Sequence, residues 1–217
     1  DMNDVRGELT AGIHCDFCHK IGGVYQNSAS DSPYNNMPGV FSIRVLRPPE
    51  DEQIFIGPYP DIHDPDTYLP LMDESAFCAP CHQFSFWGTS IYNSYGEWLE
   101  SPYSDPETGR TCQDCHMFPT GDEYFALVEQ GGLAHPPETI PSHLQLGITD
   151  ETLMQNSVEM QVSAEQLGNE IHVEVTITNS EVGHHVPTDH PGRHMLLVVE
   201  VIDGDGKTLT LIDGPII

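Results

Sequence analysis

Positive charge is scarce in this sequence. Seven Lys and Arg stand against 34 Asp and Glu in 217 residues, a formal net charge of −27. Only Lys20 and Lys207 are lysines. A nucleic-acid binder needs cations to displace counterions from phosphates, and an anionic membrane surface makes the same demand. Both partner classes are excluded. No run of about 18 apolar residues occurs, so no transmembrane helix is expected. Residues 1–14 contain Asp1, Asp4, Arg6 and Glu8 and lack the apolar centre of a signal peptide. Acidic composition can accompany disorder, but charged residues make up only 19% and hydrophobic ones 38%, with 8 Tyr, 8 Phe and 2 Trp to build a core. The length fits one or two domains. Finally, there is no spare cysteine.

All six cysteines fall into three copies of one string: Cys15-Asp-Phe-Cys18-His19, Cys78-Ala-Pro-Cys81-His82 and Cys112-Gln-Asp-Cys115-His116. At this chain's own Cys and His frequencies, roughly 0.01 copies would arise by chance, and Cys-x-x-Cys-His is the attachment string of c-type haem. The spacing answers to the chemistry. Two thiols add to the two vinyl groups of one porphyrin as thioethers. The following histidine, His19, His82 or His116, then takes the proximal iron position. The competing readings are weaker. Zinc sites use Cys-x-x-Cys pairs, but a His directly after each pair is not their usual spacing. A thioredoxin-like redox pair would occur once. With every cysteine in a thioether, no disulfide is expected. The cofactor expectation is three haem c groups, whose porphyrins supply much of the apolar surface to be buried. Covalent haem c is attached outside the prokaryotic cytoplasm, so the chain reads as a processed, exported protein, extracellular, periplasmic or at the cell surface.

Nine histidines lie outside the motifs: His14, His63, His135, His143, His172, His184, His185, His190 and His194. Three irons need at most three of them as distal ligands. Histidine outnumbers the seven methionines, the other common axial ligand, so ligation by two histidines is expected at all three irons. His172 alternates with Ile171 and Val173 in a strand-like run and is expected to face solvent. His63 stands in Asp-Ile-His-Asp-Pro upstream of the second motif, His143 in Pro-Ser-His-Leu, His135 in Ala-His-Pro-Pro. His184 and His185 sit in a Gly-His-His-Val-Pro-Thr loop, and His14 directly precedes Cys15.

Residues 1–156 are expected to form a mostly irregular, short-helix domain wrapped around the three haems. Residues 28–70 hold eight prolines and read as loop, with one short hairpin around Gly39–Leu46. Short helices fit Tyr92–Leu99, Glu123–Gln130 (stopped by Gly131 and Gly132) and Asp150–Asn156. From 157 to 217 the grammar changes. Val158–Ser163, Glu170–Thr178, His194–Ile202 and Lys207–Ile212 alternate like strands, so a small, sandwich-like β-sheet module is expected. Four strands are few for a sandwich, which leaves completion by further sequence or another molecule open. The Asp203-Gly-Asp-Gly206 turn is a weak calcium candidate, lacking a full loop pattern.

The chain resembles a large group of prokaryotic multihaem c-type cytochromes. The matching stretches are Cys15-Asp-Phe-Cys-His-Lys20, Phe77-Cys-Ala-Pro-Cys-His82, Tyr95-Gly-Glu-Trp-Leu-Glu-Ser-Pro-Tyr103 and Thr111-Cys-Gln-Asp-Cys-His-Met117. The β module adds Thr178-Asn179, Gly183-His-His-Val-Pro-Thr188, Arg193 and Asp203-Gly-Asp-Gly-Lys207. The resemblance implies bis-histidine haems with distal ligands at His63, His143 and His184; His14, His185 and His135 compete. One departure is Asp189, where a glycine commonly follows the Pro-Thr pair. A histidine directly before the first motif is another. Some members of the group look like soluble carriers or subunits of respiratory complexes. Others polymerise into extracellular filaments.

The expected function is therefore electron transfer, since an iron held by two histidines has no open position for a substrate. Its expected partners are redox proteins or extracellular electron acceptors, and further copies of itself, with the chain as the repeating subunit of a conductive extracellular filament. The alternative is a multihaem nitrogen- or sulfur-oxide reductase with one open haem site, using His135 or His190 to deliver protons. A third reading makes the β module an adhesion or surface-layer domain.

Overall fold

A computed structural model describes residues 13–29, 32–33, 39–52, 54–60 and 67–214. Among these residues the α-helices are short: α1 Cys15–Cys18, α2 Ala79–His82, α3 Ser94–Leu99, α4 Cys112–His116 and α5 Glu151–Gln155. Three of them are the Cys-x-x-Cys-His motifs, each coiled into a single turn. The sequence explains these starts. At α4, Thr111 and Asp114 form a reciprocal capping box, satisfying N–H groups at both positions. At α2, Pro80 occupies the first turn, where its missing N–H costs nothing.

The strands pair two by two and antiparallel. They are β1 Ile21–Val24, β2 Gln26–Asn27, β3 Ser32–Pro33, β4 Ile43–Val45, β5 Phe84–Phe86, β6 Thr89–Tyr92, β7 Glu159–Leu167 and β8 Glu170–Thr178; the pairs are β1 with β4, β2 with β3, β5 with β6 and β7 with β8. The expected hairpin around Gly39–Leu46 is absent. Gly39–Ser42 forms a 3-10 turn instead, and β4 pairs back onto β1, with Leu46 N–H donating to Lys20 O at 2.7 Å. The pairing buries Ile21 and Ile43 together, which a local hairpin would not do. The set of buried apolar side chains among the described residues is small: Ile21, Ile43, Ile56, Ala79, Tyr95 and Ile140.

Helix α3 starts two residues later than the sequence predicts, because Tyr92 ends β6. Its Gly96 is required by a close approach. A Cβ there would come within 2.9 Å of both Asn93 Oδ1 and Gln83 Oε1, and Gln83 Oε1 accepts the Gly96 N–H at 2.8 Å. Tyr95 is buried and stacks on Trp98, whose indole donates to Arg110 O at 2.8 Å. The predicted helix 123–130 shrinks to a 3-10 turn, Val128–Gln130, closed by Gly131 at φ 89°. Glu123 O accepts instead from His135 N–H across the loop. Helix α5 matches its prediction within one residue, with Asp150 Oδ1 accepting the Leu153 N–H at 2.7 Å.

In the β module the first two predicted strands form and the last two do not. β7 and β8 keep register over nine pairs from Glu159↔Thr178 to Leu167↔Glu170, around Gly168 at φ 67°. Alternation alone does not make a strand; backbone N–H and C=O groups need a ladder partner. Segments 194–202 and 207–212 find only the bridge Ile202↔Thr208 around the Asp203 turn. That turn gives no support to a calcium site. Asp203 Oδ1 already accepts the N–H groups of Asp205 and Lys207, both at 2.9 Å, and no cluster of three potential metal ligands occurs among the described residues. His172 is exposed beside Glu170, as expected.

Candidate functional site

The three motif helices converge. Cys18 lies close enough to Cys81 for their charges to interact. Cys78 interacts with Cys112, Cys81 and Cys18, and Cys115 with Cys112. The thiols of the second motif thus stand between those of the first and third. Cys78 of the second motif and Cys112 of the third are both largely buried and lie close enough to interact. The third motif is also anchored through Gln113, a buried side chain whose Nε2 donates to Met72 O at 2.8 Å and Glu74 O at 2.9 Å.

Each motif histidine is held by its Nδ1. For two of them the device is the same. His19 Nδ1 donates to Ile56 O at 2.6 Å, while Ile56 N–H donates back to His19 O at 2.8 Å. His116 Nδ1 donates to Leu146 O at 2.6 Å, while Leu146 N–H donates back to His116 O at 3.0 Å. An extended segment thereby grips both the ring and the backbone of the histidine. A donor bond from Nδ1 fixes the tautomer and leaves Nε2 as the lone-pair ligand. The third histidine differs: His82 Nδ1 donates to the carboxylate of Asp189 at 2.7 Å.

Opposite two of these rings stand two of the expected distal ligands. The His143 ring lies 6.0 Å from His19, centroid to centroid, with 35° between the planes. The His184 ring lies 6.2 Å from His116, with 9° between the planes. A metal–imidazole bond of about 2.0 Å plus roughly 1.1 Å from nitrogen to ring centre predicts centroids about 6 Å apart across one shared ion. Both pairs have this spacing. His143 arrives on a short antiparallel pairing, in which Thr120 N–H donates to Ile140 O and Ser142 N–H to Phe118 O, both at 2.9 Å. His184 arrives from the loop after β8. Burial lowers its pKa, the bond to His185 O opposes and proximity to His116 reinforces the lowering. A neutral imidazole is the form that binds a metal.

The loop carrying His184 is docked on α3. Glu97 Oε2 accepts from His185 N–H at 2.9 Å and from Thr188 Oγ1 at 2.6 Å, and Glu97 Oε1 lies 3.2 Å from His185 Nδ1. Gly183 packs against Trp98 and Tyr103. Asp189 Oδ1 accepts the N–H groups of Asn93 and Ser94 at the start of α3, at 3.3 and 3.0 Å.

The remaining candidates fall elsewhere. His63 lies outside the described residues. His14 is exposed at the N-cap of α1. His185 is held at Glu97. His135 packs against the stacked rings of Tyr59 and Phe125, at 4.4 and 5.2 Å. Among the described residues no histidine ring faces His82. Sequence reasoning gave no role to Ile56, Leu146, Glu97 or Asp189. The first two act through backbone atoms and carry no side-chain signal, whereas Asp189 stood out only as a departure from a glycine.

The donor set therefore fits covalent haem: Cys15, Cys18, Cys78, Cys81, Cys112 and Cys115 as thioether donors, His19, His82 and His116 as proximal ligands, and His143 and His184 as distal ones. When bound there, haem supplies one-electron chemistry at iron. The same chain path is seen in a solved structure, a penta-heme cytochrome c552 from Thermochromatium tepidum, which superposes with a TM-score of 0.59 over 95% of this chain and 53% of that one at 18% identity. The fold is similar to that of this penta-heme cytochrome. The chain spans about half the length of that cytochrome (53%) and has three attachment motifs where that protein is penta-heme. No family model and no curated protein matches the chain.

Proposed function

We propose that this chain is an exported electron-transfer protein that carries three covalent c-type haems, each held by two histidines. The observation that carries the reading is the pair of ring separations, 6.0 Å at His19–His143 and 6.2 Å at His116–His184, each with its proximal Nδ1 already engaged. Iron held this way changes charge without binding substrate. The small set of buried apolar side chains supports a fold whose interior is shared with porphyrins. On this reading residues 1–156 are the haem domain, and residues 157–217 are a β module whose loop supplies His184. The second haem takes its distal ligand from His63. The acidic surface, together with the haem propionates, keeps a haem-rich protein dispersed.

The test is optical. The purified protein is expected to show three low-spin haems and no carbon monoxide binding in the ferrous state. A high-spin band would count against ligation by two histidines. The competing reading differs at the second haem. A reductase with an open second haem would bind carbon monoxide or nitrite rapidly at that haem alone.

A filament of such subunits is the finer form of the proposal. Its support is the exposed apolar surface of the β module, including Met160, Val162, Ile171, Val198 and Leu211, beside unpaired edges of β7 and β8 among the described residues. Association of copies this acidic needs something to offset their repulsion, such as sheet pairing or bound cations. Electron microscopy of the purified protein, with and without a divalent-cation chelator, decides between filament and dispersed carrier.

A further inference from the structure

Two of the three motif histidines give their Nδ1–H to a backbone carbonyl, and one gives it to a carboxylate. The carboxylate is buried: the Asp189 side chain is 5% exposed. It accepts from His82 Nδ1 at 2.7 Å on one oxygen and from the N–H groups of Asn93 and Ser94 on the other. Its backbone is in the left-handed region, at φ 63°. An Asp tolerates that conformation better than most residues, though glycine would be easier. A residue kept in a sparsely populated conformation with a fully engaged side chain points to a role for that side chain.

The physical consequence follows from the iron. A ferric haem carries one more positive charge than a ferrous one, so nearby negative charge favours the ferric state. A carboxylate pulling on Nδ1–H also makes Nε2 a stronger donor, which favours ferric iron again. A backbone carbonyl is a neutral dipole and does both more weakly. Arg193 opposes part of the effect. Its Nη1 donates to Thr188 O at 3.3 Å, and its charge is near enough to act on His82. Arg193 is exposed, so solvent screens it, whereas the Asp189 carboxylate is not.

We propose that Asp189 is a tuning residue that lowers the reduction potential of the haem attached at Cys78 and Cys81, setting it apart from the two haems whose proximal histidines rest on carbonyls. This rests on the electron-transfer reading above. The reaction concerned is Fe(III) plus one electron from a redox partner giving Fe(II), with no proton transfer required.

The experiment is a potentiometric titration of the fully haem-loaded protein, followed by visible and electron paramagnetic resonance spectra. Asp189→Asn keeps an oxygen for the Ser94 N–H but removes the charge. Asp189→Gly keeps the backbone conformation and removes the side chain. Both are expected to move one of the three reduction steps to higher potential and to shift one low-spin ferric signal. The other two steps hold, and the haem count is unchanged. Arg193→Gln should move the same step slightly downward. Proton resonances of the haem at Cys78 and Cys81 identify the step. Unchanged potentials in both Asp189 variants, or a common shift of all three steps, would overturn the proposal. A second haem that proved five-coordinate would sink the bis-histidine reading, and the Asp189→Asn shift would still be read on that step.

Discussion

His116 and His184 face each other nearly parallel, 9° apart with their centroids 6.2 Å apart, although one closes α4 and the other lies beyond β8. Replacing His184 with Ala should leave the third iron with one protein ligand. The expected result is a high-spin band for about one haem in three and carbon monoxide binding to that fraction. His143→Ala should do the same at the first haem. Mass spectrometry should still find three haems in each variant, because the thioethers are untouched.

The covalent attachment has its own check. Denatured, reduced protein should retain all three haems. A Cys112→Ala, Cys115→Ala double variant should retain two. Recovery of three haems from that variant, or of free haem from the wild type, would remove the basis of the motif reading.

Glu97 joins α3 to the loop that carries both His184 and Asp189. Its carboxylate takes bonds from His185 N–H and Thr188 Oγ1 at 2.9 and 2.6 Å, and the side chain is 11% exposed. Hydrogen bonds to a charged group are worth about 1.5–3 kcal/mol each, so losing two of them in Glu97→Ala should cost roughly 3–6 kcal/mol in urea unfolding. A high-spin fraction should appear with it, because the loop positions a ligand.

Gly183→Ala probes the same docking by steric means. A Cβ there would lie 3.2 Å from Trp98 Cδ1 and from Tyr103 Cβ. Overpacking of this kind costs about 1–3 kcal/mol. The loss of stability should be comparable to that of Gln113→Leu, which strips the Met72 and Glu74 carbonyls of their partner at a cost of roughly 1–3 kcal/mol. Gly183→Ala should also alter the third haem's spectrum, because the same loop carries His184.

Asp105 gives a pH dependence. Bonds from Glu107 N–H, Thr108 N–H and Thr108 Oγ1 hold its carboxyl below the usual range. A carboxyl depressed in the folded state contributes stability above its unfolded pKa and loses it as pH falls through the folded value. Amide exchange at Glu107 and Thr108 should accelerate in acid, below the usual carboxylate range. In Asp105→Asn the acid-induced step should vanish.

Much of the site is legible in local spacing. Two thiols three apart and a histidine next to the second fall on one helical turn, so the motif positions were readable without any fold. The cap of α5 by Asp150 and the β7–β8 hairpin are local in the same sense. Predictions failed where a segment's partner is remote. β4 pairs with β1 rather than with its own neighbour, and segment 194–212 alternates like strand but finds no ladder.

The sequence by itself determined the covalent chemistry and the surplus of histidine from which distal ligands are drawn. Resemblance pointed to His143 and His184 among them. Only the tertiary structure decided which ring faces which, since a shared metal position depends on a gap of about 6 Å that no sequence spacing encodes. It also decided what lies behind each proximal ring. Ile56 and Leu146 act through carbonyls that every residue possesses, and Asp189 acts through a left-handed turn that places its carboxylate on His82. The acidity that excludes nucleic acid and anionic membranes is a sum over the whole chain, whereas the role of one acid depends on where the fold buries it.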